Sequence, residues 1–582
     1  MKDLLSTRSS WILLGIVLAG TFLRFYKLDT YSIFFDEKST MVVSQGIVLE
    51  GANQKDVFTQ PSFTPADFWK PKTIADYYEA MTRSDIGNSP FYYLLLHVWM
   101  DVFGISDYSA RSFSAFFSVL IILLTYSFAR RHFSVTTALI AAAIVAVEPF
   151  FIAYSHQARN YSLTFFLTLL STSYLLSIVE NANAGRRSPG DYAGYIVSSF
   201  LCPLSHFLTI SVFLGHGLYA LFFLKARYWL RLLLAGGLAM TGIAWWLMYA
   251  GGQWTLYTLD YQAKEYRRMA ETMPYNNPYG IILPATPANV LQKSIPIFSD
   301  LLLFMNGLSD ALTGKKNIIL AVISGMVLTF LFHSRTFNTW SLKKRSIILG
   351  LAAFSPMLLY SQNRLQLVIL SVSLLLVSMF PIVHKRASPA EKKRLWLLYI
   401  MSVVPTFFLI AFAFKNGHTY GLTQRYSGFS FPYVIILLAL LAQLVVTLKA
   451  DFRALIGVVM LVQSGFVGLR LKEFYQDRSQ KYGYFSEPRP ANPYYKAAKE
   501  IIELYQPGDT VFYGAPRVVP FNEMGRTFLA FSVQDAQLTN LYLPKDARYV
   551  QVLDTVRVDK IILRRHREGK DLELADLSGM RF

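Results

Sequence analysis

The stretch YSIFFDEKST, residues 31–40, places two adjacent carboxylates, Asp36 and Glu37, just after the first apolar run of the chain. A helical pattern resumes at once in STMVVSQGIVL, so the acids sit where a helix begins. A helix N-terminus favours negative charge, because its unpaired N–H groups and its dipole point that way. An ionised carboxylate at a membrane boundary is placed to take a proton from a hydroxyl arriving from water. The competing reading is that the pair only marks the water-facing end of a helix.

Three other stretches carry chemistry-bearing residues to the same side. Arg111 opens the second long apolar run; beside a carboxylate, an arginine can pair with it or bind a phosphate, and otherwise it snorkels. EPFFIAYSHQARNYSL packs Glu148, His156, Arg159 and Tyr161 into one short turn. Glu148 lies inside an apolar run, where an acid is a functional candidate unless it caps a helix or pairs with Arg159. KNGHTYGLTQRYSGFSFPY presents His418, Arg425 and Tyr426 before a late apolar run. Walker, GxSxG, HExxH and dinucleotide glycine patterns are missing, which argues against a nucleotide-driven pump and a soluble-type hydrolase. Acids, arginines and tyrosines on one face suit a phosphate leaving group and a hydroxyl nucleophile. Nucleotides are not supplied beyond the cytoplasmic membrane, so an activated sugar must arrive there on a lipid phosphate. A divalent metal is compatible with paired carboxylates, but no ligand-spaced cluster calls for one.

The elements that position these residues are membrane helices. Of 582 residues, 53% are hydrophobic and only 16% charged, where a soluble chain carries nearer a quarter. The net charge of +19 lies largely between apolar runs, which reads as membrane orientation rather than nucleic-acid binding. The single cysteine, Cys202, rules out a disulfide within the chain. The N-terminal MKDLLSTRSSWILLGIVLAGTFLRFY lacks a small-x-small cleavage site and reads as an uncleaved first span. The fold class is mainly α: a polytopic bundle of about thirteen spans with a small C-terminal α/β domain. The expected span centres are Ile16, Leu120, Ala143, Leu169, Val197, Leu214, Leu238, Ser324, Ala353, Leu374, Leu409, Leu438 and Met460. The fifth is weakened by SFLCPLSHF, and the ninth and tenth form a tight hairpin around YSQNR.

Basic clusters such as Arg130/Arg131, Arg186/Arg187 and Lys343/Lys344/Arg345 alternate with sparsely basic loops, so the N-terminus is expected inside and Asp36 outside. Residues 1–470 form the expected membrane domain, with long outer loops at about 27–108 and 251–314; residues 471–582 form the outer domain. Ile74, Tyr77, Tyr78 and Met81 at helical spacing predict an amphipathic helix along the membrane surface. The second loop is expected to cover a substrate cavity.

LRFYKLDTYSIFFDEKST, SPFYYLLLHVWMDVFGISDYSARSFSAFFSVL and YSHQARNYSL, in that order, resemble the C-type membrane glycosyltransferases. The branch is the protein O-mannosyltransferase-like and aminoarabinose-transferase-like one, family 39-like. The likeness covers residues 20 to 180 and is looser at QRYSGFSFPYVIILLALL and at NPYYKAAKEIIELYQPGDTVFY. It implies an inverting transfer from a polyprenyl-phosphate sugar to a lipid, glycan or protein hydroxyl, at the cell's inner or plasma membrane. By it, Asp36 is the base and Glu37 its partner. Arg111 holds the carboxylate region or the phosphate, and Arg159 with Tyr161 lines the donor pocket. Many members carry His-Pro-Pro or Lys-Pro-Pro where this chain reads Asn88-Ser89-Pro90; if that position contacts the donor phosphate, the charge must come from elsewhere, with Arg83, Arg364 and Arg425 as candidates. Arg83, Asn88, Glu148 and His156 are additional site candidates; Arg364, Arg425 and Tyr426 are donor-side candidates. The rival readings are a transporter or flippase, a non-catalytic scaffold, and a polymerase or ligase using diphosphate-linked oligosaccharides. A transporter is expected to show paired half-repeats and broken mid-membrane helices, which the sequence does not suggest.

Overall fold

The computed structural model describes residues 8–49, 51–84, 88–250, 252–277, 279–312, 314–359, 363–479, 481, 487–514, 531–554 and 558–579. Among them nine helices are long and apolar enough to cross a bilayer, or ten if Val135–Val147 and Pro149–Ser155 form one bent span. The chain is a multi-pass membrane protein, mainly α-helical. The other three expected centres also fall in helices, but shorter or more charged ones. Val197 lies in Pro189–Ser205, Leu214 in the apolar helix Phe207–Phe223, and Ala353 in Leu342–Leu359, which opens with three basic residues. The expected turn at YSQNR lies partly outside the described residues.

Local chemistry fixes the helix ends. Ser106 and Ser134 accept backbone N–H bonds of 3.0 Å from Ser109 and Thr137, starting Asp107–His132 and Val135–Val147. Each such cap contributes ~1 kcal/mol. Ser388 and Glu391 cap each other's backbone at the head of Pro389–Asn416, which ends at Gly417 with φ +80. Pro149 has no N–H to continue the helix before it, and the chain bends by 54° at Glu148. Pro203 lies two residues before the end of Pro189–Ser205, and His206 is extended. The break that weakens the fifth expected span is therefore a real one.

The expected surface helix forms as Ile74–Ser84, but its stripe is turned inward. Met81 is buried, Tyr77 packs against Gly46 and His97, and Tyr78 packs against Trp246. Only Ile74, 73% exposed, faces away. The first long loop has its own protein core to cover, and packing against that core takes up the apolar stripe of the helix.

Beyond the Ala450–Tyr475 helix the chain forms a four-stranded sheet in the order β2-β1-β3-β4. The strands are β1 Thr510–Tyr513, β2 Val550–Leu553, β3 Lys560–Arg565 and β4 Lys570–Asp576. β1 pairs parallel with β2 and antiparallel with β3. The expected helix forms as Pro493–Leu504, capped by Asn492. The sheet and the first long loop share a continuous apolar core that runs from Ile33 and Val48 to Ala536 and Leu563. Backbone bonds join Phe63 and Gln551 in both directions at 3.0 and 2.8 Å.

Candidate functional site

The Asp36–Glu37 pair opens the helix Phe35–Ser44, as the sequence predicts. Phe34 has no polar side chain to cap that helix. Glu37 does it instead, its Oε2 accepting from the Phe34 N–H at 3.3 Å. Glu37 is 1% exposed and meets Arg111 in a two-pronged pair, Nε to Oε1 and Nη2 to Oε2, both 2.8 Å. The Ala158 N–H adds a fourth bond to the Glu37 carboxylate, at 2.9 Å. Burial pushes the Glu37 carboxyl up. The Arg111 charge and hydrogen bonds, the Arg489 charge and the Ala158 N–H outweigh it and hold the group below the usual carboxylate range.

Arg111 has no donor left for a phosphate. A guanidinium offers five N–H donors. Two go to Glu37; the others reach the carbonyls of Leu28, Tyr31 and Ser32 at 2.9, 2.8 and 3.1 Å. All five contacts lie in the carboxylate region and the turn before it. Arg111 stitches the 28–37 turn onto the membrane bundle.

Asp36 is half-buried, and its carboxylate carries no ion pair among the described residues. Its backbone carbonyl accepts from Thr40 at 2.7 Å and from Arg159 Nη1 at 3.4 Å, and Arg159 Nη1 also reaches Thr40 Oγ1 at 2.9 Å. Arg159 therefore lies along the same helix turn. A run of rings leads on from it: Tyr161 lies 6.2 Å from His206, and His206 lies 5.7 Å from Tyr426. The Arg425 guanidinium sits 4.7 Å from the Tyr426 ring. His206 lies within electrostatic reach of both Arg159 and Arg425, and Tyr420 of both Arg425 and Asp36. Asp36, Arg159, Tyr161, Arg425 and Tyr426 thus converge from separate stretches of sequence. Gly428 permits the last approach, since a Cβ there would come within 2.3 Å of Phe165 and 2.6 Å of Phe150.

The other candidates lie elsewhere. Arg83 pairs with Glu79 at 3.1 Å on the Ile74–Ser84 helix. Arg364 is exposed at the head of Arg364–Val377, which packs mainly on Lys315–His333, Leu342–Leu359 and Ala450–Tyr475. Asn88 accepts from the Phe207 N–H at 3.4 Å, and Ser89 accepts from Asn160 Nδ2 at 2.6 Å. This neutral pair pins the break that delivers His206. His156 lies behind the Glu37–Arg111 pair, edge-on to Phe474 and Tyr475. Glu148 does not pair with Arg159. It accepts from Asn306 at 3.3 Å and lies near Asp300, which Lys481 meets at 2.6 Å.

The sequence reading missed four contributors. The break at Pro203 signalled His206, and the glycine and proline of KNGHTYGLTQRYSGFSFPY marked the turn that presents Tyr420. Tyr266, stacked on Tyr420 at 4.1 Å and 29°, and Arg489 left no sequence signal, because each reaches the site from a distant segment. No group of three or more potential metal ligands occurs among the described residues.

Residues 87–249 match the family model described as dolichyl-phosphate-mannose-protein mannosyltransferase. The comparison with curated proteins returned no match. Among solved structures, ArnT from Cupriavidus metallidurans bound to undecaprenyl phosphate is similar at 13% identity, covering 92% of this chain and 86% of that one, with a TM-score of 0.35. The Archaeoglobus fulgidus oligosaccharyltransferase is similar at 12% identity, covering 86% of this chain and 59% of that one, with a TM-score of 0.40. The family match bears out the motif resemblance: over residues 87–249 the chain is similar to the C-type membrane glycosyltransferases, in their protein O-mannosyltransferase-like branch.

Proposed function

We propose that this protein transfers a sugar from a polyprenyl-phosphate donor to an acceptor hydroxyl, on the extracytoplasmic side and with inversion. The observation that carries the reading is the unequal pair at the head of Phe35–Ser44: Glu37 fully engaged by Arg111, and Asp36 left half-buried beside a cationic and aromatic cluster. Asp36 acts as the base. As the acceptor oxygen attacks the anomeric carbon, its proton passes to the Asp36 carboxylate. The bond from that carbon to the phosphate oxygen breaks, and its electron pair leaves on the phosphate. A phosphate leaving group needs cations rather than a general acid, and Arg159 and Arg425 supply them. Attack opposite the leaving group inverts the carbon, as in single-displacement glycosidases. Glu37 and Arg111 position the helix turn and take no proton.

An apolar groove of about 580 Å³ between Pro287–Leu301 and Pro389–Asn416 supports a lipid-borne donor. Val290, Phe298, Phe407 and Phe414 line it. The second helix runs directly into the turn that carries Tyr420 and Arg425, so an isoprenoid in the groove has its phosphate end near the cations. The distribution of basic residues supports an outer active site, with the N-terminus cytoplasmic and the tail from about residue 471 as a small outer domain.

The test uses full-length protein in phospholipid vesicles with polyprenyl-phosphate hexoses and pentoses, mannose first, and a cell-envelope acceptor extract. Acceptor-dependent release of free polyprenyl phosphate that Asp36→Asn abolishes is the expected result. Release at the wild-type rate in that variant ends the assignment.

A further inference from the structure

The tail beyond the Ala450–Tyr475 helix meets the Asp36 helix through Tyr494, whose ring lies 5.4 Å from Lys38 Nζ, and meets the turn before it through Arg489. The Ala450–Tyr475 helix ends and the chain turns back at Asp477, a non-glycine residue with φ +55. That turn aims the Asp477 carboxylate at Arg489, which meets it with Nε and Nη2, both at 2.8 Å, while the Arg489 backbone N–H donates a third bond of 2.8 Å. The remaining arm of Arg489, Nη1, donates to the Ser32 carbonyl at 2.8 Å. That carbonyl is the one that also accepts from Arg111 Nη2. The Ser32 N–H in turn donates to the Pro490 carbonyl at 2.8 Å. Tyr31 Oη adds a bond of 3.1 Å to the Tyr475 carbonyl. Ser32 is therefore held between two guanidinium groups, one from the membrane bundle and one from the start of the tail. Four residues later comes Asp36.

We propose that Arg489, held by Asp477, is a positioning residue for the transfer reaction, fixing the turn that presents Asp36. The effect runs through the backbone of residues 31–37, since Arg489 reaches a carbonyl there. A planar guanidinium is required, because one group must satisfy a carboxylate with two donors and a carbonyl with a third. An ammonium at this position keeps the charge and loses the fork. The tail from residue 477 onward is by this account part of the active-site framework. A misplacement of the base by ~1 Å is enough to cost ~100-fold in rate, so the strap acts on kcat and not on donor affinity.

The proposal rests on the reaction proposed above for its kinetic arm, and an exchange arm keeps the two separable. Backbone hydrogen exchange is followed in the full-length protein in phospholipid vesicles, for wild type, Arg489→Ala, Arg489→Lys and Asp477→Asn. Arg489→Ala and Asp477→Asn are each expected to speed exchange across residues 31–44 at least ~10-fold while Tyr161–Asn183 is unchanged; Arg489→Lys falls between. Unchanged exchange in 31–44, or an equal rise throughout the chain, overturns the proposal. With the polyprenyl-phosphate sugar that supports wild-type turnover, Arg489→Ala is expected to lower kcat at least ~10-fold at unchanged donor KM, with partial recovery in Arg489→Lys. A raised KM at wild-type kcat overturns it as well. If Asp36→Asn stays active while the exchange result holds, the reaction assignment fails and the strap stands.

Discussion

Two charge clusters sit at the same end of the bundle, and they are built to different standards. In the first, Glu37 and Arg111 satisfy each other with two bonds of 2.8 Å, and the other arginine donors reach three backbone carbonyls. In the second, Lys481 is shared between Asp300 and Asp310, and Glu148 Oε2 makes no hydrogen bond among the described residues. Desolvating charges is expensive, and only complete pairing repays it. The first cluster is therefore a rigid mount, with a less constrained carboxylate, Asp36, held on its rim. The second is a looser polar junction beneath the turn that carries Gln424, which donates to Asp300 at 3.0 Å. The proposed base, which must accept and then release a proton, belongs beside such a mount rather than inside it.

The sharpest way to break this comparison is Arg111→Ala. It strands a buried Glu37 and unties three carbonyls, so a loss of ~3–5 kcal/mol is expected from thermal unfolding in detergent, together with loss of turnover. A loss no greater than that of a surface substitution would make the two clusters equivalent. Asp36→Asn comes next: with Asp36 as the proposed base, at least ~100-fold lower turnover is expected, with unfolding unchanged, because that carboxylate carries no ion pair among the described residues.

Acid titration tests the mount directly. Glu37 is held below its ordinary value of 4.5 in the folded protein. Its contribution to stability is therefore fully present above about pH 4.5, and is lost as pH falls through the lower folded value. Denaturation midpoints measured from about pH 8 down to about pH 3 should show that acid limb in wild type. Glu37→Gln should be less stable at neutral pH and lack the limb.

Arg159→Ala is expected to weaken polyprenyl-phosphate binding by ~10-fold, the size of one charge-assisted contact of ~1.4 kcal/mol, measured by titration of the lipid phosphate. Unchanged affinity would remove it from the donor pocket. The smallest effect is expected from Glu148→Gln, a change in stability within ~1 kcal/mol by the same unfolding measurement, since its Oε2 has no hydrogen bond to lose. A large loss there would show the second cluster to be as tightly built as the first.

Much of this molecule could be read from its residues. Apolar runs marked the helices, because a bilayer leaves few ways to satisfy a backbone. A proline marked the weak fifth span, and the Asp36–Glu37 position at a helix start followed from the pattern on either side. What could not be read was which arginine does what. Arg111, Arg159, Arg364 and Arg425 look alike at the edges of apolar runs. The structure spends all of Arg111 on Glu37 and on carbonyls, lays Arg159 along the Asp36 turn, and brings Arg425 toward Tyr420. For Glu148 the sequence left pairing with the nearby Arg159 open as one alternative, and the bend at Pro149 sends Glu148 to Asn306 instead.

The sequence by itself determined that this chain crosses a membrane many times, carries paired acids at one helix start, and ends in a small α/β unit. Those features rest on local periodicity, which neighbouring residues encode. Only the tertiary structure decided that one acid is a strut and the other is not, that His206 and Tyr420 border the site, and that Arg489 reaches back to Ser32. Each of these depends on contacts between segments far apart in the chain, and hydrogen-bond geometry between such segments is set by packing rather than by spacing.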